Sequence, residues 1–251
     1  MSDVKGVVLC GGPGTRLRPI TYYFQKAMIP VGKKQKPLLE YIVRLLKFYG
    51  IENLIFLVGY KAEQIVNYFD SGSRFGVKIE YVYDDPLLKG TASSIVNAYR
   101  KNVLSTSDTL LVYYGDILTN MNLQDLLTFH REKNAVATVA LSKGFTVRVG
   151  VAELDENGRI QGFQEKPKIK KPVSIAITVI EGEVLEEMNN LANSNPRLDL
   201  MGDVIPHLIN NGKDVYGYVT DAFWYDVGST EAYEKLDHET VDEIFNFLYK
   251  E

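Results

Sequence analysis

Residues 5–16 read KGVVLCGGPGTR, a valine-rich apolar run that leads straight into a glycine-rich loop. The run predicts a buried strand. Gly11, Gly12 and Gly14 allow the loop to turn tightly and to bring N–H groups close to a polyphosphate, and Arg16 adds a forked cation for the same anion. The glycine order GGxG differs from the GxGxxG of dinucleotide-binding folds, and the Lys-Ser/Thr of a P-loop is missing. By itself, such a loop can equally be a simple turn.

Outward from this loop, short apolar runs alternate with helical patterns. The predicted strands of the first half are residues 5–10, 53–59, 77–82 and 109–114, and the predicted helices are 37–49, 61–69 and about 91–100. This alternation indicates right-handed crossovers and a mostly parallel sheet. Ligands bind beyond the carboxyl ends of the strands in such sheets, so we expect the loops 11–16 and 115–116 to face one crevice.

The second half of the chain is less regular, and it shows neither a linker nor a repeat. Its predicted strands are 137–141, 148–154, 159–167, 174–180, 214–219 and 223–228, and its predicted helices are 182–192, 201–211 and a terminal helix from about 229. Asn157-Gly158 predicts a hairpin turn between two of these strands. Since no hexapeptide repeat is visible, we expect one domain over residues 1–251, without an appended β-helix domain.

Composition limits the class of protein. The chain has 251 residues, of which 45% are hydrophobic and 24% charged, and its net charge is −4. These values are typical of a globular domain, and no basic stripe indicates a nucleic-acid partner. Cys10 is the only cysteine, and His130, His207 and His238 are widely separated in sequence, so neither an internal disulfide nor a zinc site is expected. Without a signal-peptide pattern or a long apolar run, we expect a soluble, cytoplasmic protein with no membrane partner.

Two aspartates follow apolar runs at distant places in the chain. Asp116 comes two residues after the strand predicted at 109–114, and Asp226 stands within FWYDVG at 223–228. Each aspartate alone is typical of a helix cap or a turn. Together they offer hard oxygen ligands from two strand ends, which is what Mg²⁺ requires when it binds a phosphate.

The full string from Leu9 to Thr21, LCGGPGTRLRPIT, resembles the GGxGTRLxPxT signature of the sugar-1-phosphate nucleotidylyltransferases, and every fixed position matches. This family includes mannose-1-phosphate guanylyltransferases and glucose-1-phosphate thymidylyl- and uridylyltransferases. The resemblance continues from Lys5 to about Leu236, in the family's motif order. It implies a Rossmann-like three-layer α/β/α fold with a mixed, mostly parallel sheet, and a single nucleotidyltransferase catalytic domain.

The resemblance also implies a reaction and a site. The family joins a nucleoside triphosphate to a sugar 1-phosphate with Mg²⁺, by in-line attack on the α-phosphate, and releases pyrophosphate. By resemblance, Arg16 and Lys26 are catalytic, and Asp116 and Asp226 hold the Mg²⁺. The residues implied to bind the nucleotide are Leu9, Gly11, Gly12, Gly14, Thr15, Arg16, Asp84, Gly90 and Thr91. The residues implied to bind the sugar phosphate are Gly150, Glu165 and Lys166. The alternative for Lys26, and for the Glu165–Lys166 pair, is solvated charge at the surface.

Four positions depart from the family's pattern: Ala27, Ser93, Tyr114 and Ala176. They leave open a catalytically silent, nucleotide-binding regulatory homologue of such an enzyme. The retained pair of aspartates favours the enzyme, because a silent copy has no use for both metal ligands. A dinucleotide-dependent oxidoreductase is suggested only by the strand–helix–strand opening, and the glycine spacing argues against it.

The nucleobase and the oligomeric state stay open. Asp84 and Asp85 stand where the family often has Gln or Glu. A carboxylate can accept two hydrogen bonds from guanine but finds only one N–H donor on uracil or thymine, which favours GTP over UTP or dTTP. A solvated pair of loop aspartates is the alternative. Apolar residues at 244–249 offer a surface for a homo-oligomer, or simply pack on their own domain.

Overall fold

The computed structural model describes residues 4–147 and 149–249 of the chain. In chain order, its strands are β1 (Val4–Cys10), β2 (Pro30–Val31), β3 (Lys36–Pro37), β4 (Asn53–Val58), β5 (Lys78–Tyr83), β6 (Thr109–Tyr114), β7 (Ile117–Thr119), β8 (Ala137–Ser142), β9 (Phe145–Thr146), β10 (Val151–Leu154), β11 (Ile160–Gln164), β12 (Lys168–Ile169), β13 (Val173–Glu181), β14 (Val215–Thr220) and β15 (Trp224–Asp226). Its α-helices are α1 (Leu38–Phe48), α2 (Ala62–Phe69), α3 (Thr91–Arg100), α4 (Leu123–Glu132), α5 (Val184–Ser194), α6 (Ile205–Asn210), α7 (Thr230–Glu234) and α8 (His238–Ile244). The strand predicted at 148–154 begins at Val151, and Arg148 lies outside the described residues.

Seven strands form one sheet in the order β14-β8-β13-β6-β1-β4-β5. β1 pairs in parallel with β4 and β6, β4 with β5, and β8 with β14. β13 runs antiparallel between β6 and β8. The expectation of an α/β fold with a mixed, mostly parallel sheet is therefore confirmed.

Helices cover both faces of this sheet. One buried apolar cluster joins the sheet to α1, α2, α4 and α8, and a second joins it to α3, α5 and α6. Leu39 and Ile65 are fully buried in the first cluster, and Ile95 and Leu185 in the second. Burying one such side chain contributes roughly 1.5–3 kcal/mol, so these contacts hold the three layers together. Among the described residues, no helix has the length and apolar character needed to span a bilayer.

The order of the strands creates a crevice beyond the carboxyl ends of the central strands. β1 connects to β4 through α1 on one face, and β5 connects to β6 through α3 on the other face, so β4 and β6 flank β1. Ligands of α/β sheets bind at such a reversal, beyond the carboxyl ends of the strands. The loops 11–16 and 115–116 both begin at these carboxyl ends, as expected.

Helix α4 has no counterpart among the predicted helices, although its sequence signal is present. The side chain of Asn122 accepts hydrogen bonds from two backbone N–H groups of the first turn, at 3.0 and 3.2 Å, which is a typical N-cap. Leu123, Leu126 and Leu127 are buried on one face of the helix together with His130. The histidine interrupts the apolar pattern, so the helical period is hard to read from hydrophobicity alone.

The prediction of one continuous terminal helix from residue 229 is wrong. The segment divides into α7, α8 and a 3₁₀ turn at Asn246–Tyr249. Asp237 causes the break: its carboxylate accepts hydrogen bonds from the Glu239 N–H at 3.0 Å and from the Thr240 hydroxyl at 2.6 Å. An aspartate in this position caps a new helix rather than continuing the old one.

The hairpin predicted at Asn157-Gly158 is confirmed as the turn between β10 and β11, which pair antiparallel. Gly158 has a φ of 81°, and the Asp155 carboxylate accepts a hydrogen bond from the Asn157 N–H at 2.9 Å. The hairpin is separate from the main sheet, and its apolar side chains are exposed, Leu154 to 60% and Phe163 to 61%.

Candidate active site

A cavity of about 630 Å³, which we call the strand-end cavity, lies at the carboxyl ends of β1, β4, β5 and β6. It brings together eight of the predicted site residues: Leu9, Gly11, Gly12, Lys26, Asp84, Gly90, Thr91 and Asp116. Residues that are far apart in sequence therefore meet where the strand order places a ligand site.

Gly14 packs the glycine loop against Thr21 and Lys26. It adopts a left-handed backbone with φ 57°, and a Cβ atom there would lie 2.9 Å from Thr21 Cγ2 and 3.1 Å from Lys26 Cβ. The Thr21 hydroxyl donates a hydrogen bond to the Gly14 carbonyl at 2.9 Å. Only glycine fits this conformation and this close approach without strain. Gly14 therefore packs the loop against the segment that carries Lys26.

Lys26 is held over the cavity by a residue that the sequence did not single out. Gln25 is buried, and its side-chain amide donates to the Cys10 carbonyl at the end of β1 and accepts from the Ala27 N–H. Its backbone N–H donates to Gln64 Oε1 at 2.6 Å. These three bonds fix the short 3₁₀ turn that begins at Lys26. From there the Lys26 ammonium forms an ion pair with the Asp116 carboxylate.

Asp116 and Asp226 are brought together by the short pair of strands β7 and β15. Asp226 lies opposite Ile117 in this antiparallel pair, and the Val227 N–H donates to the Asp116 carbonyl at 2.9 Å. Burial raises the pKa of the Asp226 carboxyl, and the nearby Asp116 carboxylate raises it further, against the opposing effect of the cations Lys26 and Arg16. Two like charges are thus held side by side without full compensation.

The two aspartates fit a divalent cation. Asp226 Oδ1 is buried and has no hydrogen-bond partner among the described residues, and an orphaned carboxylate oxygen beside a second carboxylate is costly unless a cation binds there. Within residues 4–147 and 149–249, no group of three or more His, Cys, Asp or Glu side chains is placed to hold a metal. A cation between Asp116 and Asp226 would therefore take its other oxygens from phosphate or water.

The amino end of α3 borders the cavity, but its first N–H groups are already used. The N–H groups of Ala92 and Ser93 both donate to the Leu198 carbonyl at 3.1 Å. The Thr91 hydroxyl donates to Asp199 Oδ2 at 2.8 Å and accepts from the Leu200 N–H at 2.8 Å. This helix end is therefore closed to a phosphate. Gly90 and Thr91 form a wall suited to the nucleoside part of a nucleotide.

Asp199 organises the segment that closes this wall. Besides bonding Thr91, its side chain accepts from the backbone N–H groups of Met201 and Gly202. These bonds cap a π-turn at Leu200–Val204, so the helix predicted at 201–211 begins as a π-turn and continues as α6. Single π-turns of this kind are common near functional sites.

Two of the departures from the family's pattern have a structural explanation in this wall. The Ser93 hydroxyl donates to the Pro196 carbonyl at 3.0 Å and accepts from the Leu198 N–H at 2.9 Å, which ties α3 to the following segment. Tyr114 lines the cavity beside Thr91, and burial raises its pKa to about 12. Its hydroxyl interacts with the Thr91 side chain, which ties Tyr114 into the wall of the cavity.

The other two departures concern packing at Ala27 and backbone conformation at Ala176. Ala27 is buried beneath Gly115. Ala176 has a φ of 59° and lies in a β-bulge of β13, next to the end of β6. A left-handed conformation costs a non-glycine residue roughly 1–2 kcal/mol, and such strain is often found at functional sites.

Asp84 closes the cavity beyond β5. Ser94 Oγ donates to Asp84 Oδ1 at 3.3 Å, and the carboxylate lies so close to the Gly11 Cα that a Cβ there would be 3.1 Å from Asp84 Cγ. Burial raises the pKa of this carboxyl, while Ser94 and Lys101 act in the opposite direction. The absence of a side chain at Gly11 is what allows Asp84 to reach this position.

A second cavity of about 780 Å³, which we call the ribbon-side cavity, is bordered by the β9–β12 ribbon and by β15. Arg16, Lys166 and Asp226 line it. The rings of Phe145 and Trp224 lie on its wall with their centroids 6.2 Å apart. Asp226 belongs to this cavity and Asp116 to the strand-end cavity, so the carboxylate pair stands between the two.

Four predicted residues line neither cavity. They are Gly14, Thr15, Gly150 and Glu165. Glu165 is exposed on the loop after β11 and lies 3.8 Å from the Lys166 ammonium. A Cβ at Gly150 would lie 3.0 Å from Glu165 Oε2, so these two residues are neighbours.

Comparison with known proteins identifies the family. A family model described as "Nucleotidyl transferase" matches residues 5–243. The chain belongs to the nucleotidyl transferase family.

The relatives of this family member include several sugar-phosphate enzymes. The chain is 33% identical over 245 residues to UTP–glucose-1-phosphate uridylyltransferase of Synechocystis sp., covering 92% of this chain and 61% of that protein. It is 33% identical over 233 residues to mannose-1-phosphate guanylyltransferase of Mycobacterium tuberculosis, covering 91% and 62%. The chain thus spans about three-fifths of the length of these curated relatives.

The fold of this nucleotidyl transferase family member also matches solved structures. A Bacillus anthracis protein, named there as a candidate glucose-1-phosphate thymidylyltransferase and solved with a sucrose, superposes with a TM-score of 0.76 at 22% identity. The match covers 97% of this chain and 99% of that one. At this level of identity the likeness concerns the fold, and it agrees with the three-layer architecture described above.

Several residues that shape the site were not predicted. Gln25 and Asp199 act through hydrogen bonds to distant parts of the chain, which no local pattern reveals. Trp224 and Phe145 could have been noticed, since Trp224 is the only tryptophan of the chain and precedes Asp226 by two positions. A large aromatic side chain beside a candidate metal ligand is a usable sign of a binding wall.

Proposed function

We propose that this chain transfers a nucleotidyl group from a nucleoside triphosphate to a sugar 1-phosphate, giving a nucleoside diphosphate sugar and pyrophosphate. The proposal is carried by one observation: Asp116 and Asp226 meet between two cavities, and Asp226 Oδ1 is buried without a partner. Each cavity has groups that suit a phosphate: the glycine loop and Lys26 in one, and Arg16 and Lys166 in the other. Two phosphorylated substrates could therefore bind on the two sides of the carboxylate pair and react there.

The strand-end cavity would hold the nucleotide. The loop at Gly11 and Gly12 would present N–H groups to the triphosphate, and the Gly90–Thr91 wall would contact the nucleoside. Asp84 lies at the far side of this cavity. Because a carboxylate can accept two hydrogen bonds from guanine, we expect GTP to be used in preference to UTP or dTTP.

The ribbon-side cavity would hold the sugar phosphate. Lys166 and Arg16 supply two cations for the phosphate, and the rings of Phe145 and Trp224 supply a flat apolar wall against which a sugar ring can pack. A phosphate bound by Arg16 would then face the α-phosphorus across Asp226.

The chemical step needs no nucleophile or base from the protein. An oxygen of the sugar phosphate is already anionic at neutral pH; it forms a bond to the α-phosphorus, while the bond from that phosphorus to the bridging oxygen of the β-phosphate breaks. The electron pair leaves with pyrophosphate. Catalysis then consists of holding the groups in line and neutralising charge, for which Lys26 and Arg16 are placed.

Asp116 and Asp226 would hold Mg²⁺. When bound, this ion would neutralise and orient phosphate oxygens. In the chain as described, Lys26 neutralises Asp116, and Asp226 is the carboxylate with an unused oxygen. We therefore expect metal binding to involve Asp226 first and to free Lys26 for the phosphates.

The test is product formation with Mg²⁺ from each common nucleoside triphosphate combined with mannose, glucose or N-acetylglucosamine 1-phosphate. Products are identified by mass spectrometry, and pyrophosphate is measured beside them. Asp116→Asn and Asp226→Asn preserve side-chain volume and remove the charge. Asp214→Asn is the matched control, because Asp214 is exposed and directly precedes the amino end of β14.

We expect one pair of substrates to give one nucleotide sugar, with the control unaffected. Both site variants should lose at least about 10³ of the rate, as when a group that stabilises the transition-state charge is removed. Triphosphate binding without product from any pair would contradict the proposal and support a silent nucleotide-binding homologue.

A further inference from the structure

Four lysines stand within six consecutive positions directly after Glu165. Residues 166–171 read KPKIKK, and no acidic residue interrupts them in a chain whose net charge is −4. Lys168, Lys170 and Lys171, which we call the lysine strip, are all exposed. Across the parts of the chain that the structure describes, none of these three lysines forms an ion pair, whereas the neighbouring Lys143 and Lys235 do.

The fold attaches the lysine strip to the wall of the ribbon-side cavity. β12 pairs antiparallel with β9, so that Lys168 lies opposite Thr146. The Val147 N–H donates to the Pro167 carbonyl at 2.9 Å, which extends the ribbon by one bond. Thr146, Val147 and Lys166 line the cavity. The strip therefore begins at the edge of the cavity and leads outward from it.

The strip does not contribute to stability through its charges. Three like charges within four consecutive positions, without ion pairs to the described residues, repel one another, and such repulsion weakly opposes folding. A positive surface beside a cavity that already contains Arg16 and Lys166 instead raises the local concentration of small anions. The effect reaches about 10 Å at 0.1 M salt, which spans a few residues of the ribbon.

We propose that the lysine strip attracts the sugar 1-phosphate and guides it into the ribbon-side cavity, without acting on the triphosphate. This inference rests on the proposed function, because it needs a phosphorylated substrate in that cavity. The strip acts before the chemical step, and it attracts the substrate equally in the ground state and in the transition state. Its removal therefore lowers kcat/KM for the sugar phosphate and leaves kcat unchanged.

The test uses three triple variants of the full chain. Lys168→Gln/Lys170→Gln/Lys171→Gln removes the strip, and replacement of the same three lysines by arginine keeps its charge. Lys78→Gln/Lys133→Gln/Lys213→Gln removes three exposed charges and is the control: Lys78 begins β5, Lys213 precedes β14, and Lys133 follows α4 and lies over the rings of Phe129 and Tyr216. For each variant, kcat/KM is measured for both substrates at about 0.1 M and about 1 M salt, where the charges of the strip reach about 10 Å and about 3 Å. The dissociation constant of glucose 1-phosphate is measured by calorimetry under the same conditions.

At low salt, we expect the glutamine variant of the strip to lose about fivefold in kcat/KM for the sugar phosphate, and to weaken its binding by a similar factor. The loss should vanish at high salt, and the triphosphate values, the arginine variant and the control should stay near the wild type. An equal loss in the control, a loss that persists at high salt, or an equal loss for the triphosphate would overturn the inference. If the wild type binds the sugar phosphate but forms no product, the proposed function fails, while the calorimetric comparison still decides the role of the strip.

Discussion

The two cavities differ in how they are built. The strand-end cavity is formed by the ends of buried central strands, and its key side chains are fixed by buried or helix-capping bonds: Gln25 to Cys10 and Ala27, Ser93 to Pro196, and Asp199 to Thr91. The ribbon-side cavity is bordered by the two-residue strands β9 and β12 and by exposed lysines. The half proposed to hold the triphosphate is thus part of the core, and the half proposed to hold the sugar is part of the surface.

This difference teaches where substrate choice can change within one fold. A cavity tied into the sheet cannot be altered without a loss of stability, because its walls are also core contacts. A surface ribbon can be altered residue by residue. Two of the departures from the family's pattern, Ser93 and Tyr114, lie in the strand-end cavity or its wall, but both are integrated there by hydrogen bonds or burial.

Lys26→Gln tests the carboxylate pair that lies between the two cavities, because Lys26 forms an ion pair with Asp116. We expect kcat to fall by about 10²–10³, because in the proposed reaction this cation, which pairs with Asp116, neutralises charge that develops on the phosphates. Steady-state rates with both substrates saturating measure the effect. Lys89 lies in the same cavity and forms no ion pair with a carboxylate of residues 4–147 or 149–249. Lys89→Gln should therefore stay within about threefold of the wild type; equal losses in the two variants would contradict this role for Lys26.

Lys166→Gln sharpens the comparison from the ribbon side. The KM for the sugar 1-phosphate should rise by about 10- to 100-fold, the loss typical of a charged hydrogen bond, while the KM for the triphosphate stays unchanged. Lys166→Arg should recover part of the loss. A rise in the KM for the triphosphate alone would indicate that the nucleotide binds in the ribbon-side cavity, and it would contradict the proposed division of the substrates between the two cavities.

Gly11→Ala is the corresponding change on the strand-end side. The added methyl would press on the Asp84 carboxylate, so we expect the KM for the triphosphate to rise by about tenfold, equivalent to about 1.4 kcal/mol, with no change for the sugar phosphate. Gly12→Ala is the comparison variant, since a Cβ there meets no protein atom within 4 Å and can affect only the approach of the triphosphate to the loop. Equal effects at Gly11 and Gly12 would show that backbone freedom, rather than Asp84, sets the result.

Asp226→Asn concerns stability at the boundary between the cavities. The raised pKa of this carboxyl means that its ionised form is disfavoured in the folded protein. The cost is absent at a pH below the ordinary aspartate pKa, grows as pH rises from there to the folded-state pKa, and keeps its full size above that value. At pH 7 without metal, the variant should therefore melt at a higher temperature than the wild type.

The same melting experiment with added Mg²⁺ gives the converse result. The wild type should gain stability from the ion and the variant should not, because binding stabilises only the form that binds. A variant that is less stable than the wild type without metal, or equally stabilised by it, would contradict the role given to Asp226 Oδ1.

Much of the sheet could be predicted from the sequence, and so could the meeting of the loops after β1 and β6 in one cavity. Alternating apolar and helical patterns are local, and strand order then places the loops after β1 and β6 at one edge. That is why Gly11 and Asp116 were expected to face one crevice, whereas Asp84 was implied by the family resemblance. The aspartates also carried a chemical reason to meet, since phosphate chemistry needs oxygen ligands.

The remaining features depend on contacts between distant parts of the chain. The bond from Thr91 to Asp199 spans 108 positions and that from Ser93 to Pro196 spans 103, and no periodicity encodes such pairs. The division into two cavities was also not visible in the sequence: Arg16, predicted to bind the nucleotide, lines the ribbon-side cavity with Lys166. The break at Asp237 was missed because a capping aspartate resembles any other polar helix position.

The most direct test is a crystal structure with Mg²⁺, a non-hydrolysable nucleoside triphosphate and glucose 1-phosphate. We expect the triphosphate against Gly11 and Gly12 in the strand-end cavity, the sugar phosphate between Arg16 and Lys166, and the ion between Asp116 and Asp226. Both ligands in one cavity, or an ion bound away from the two aspartates, would contradict the division of labour described above.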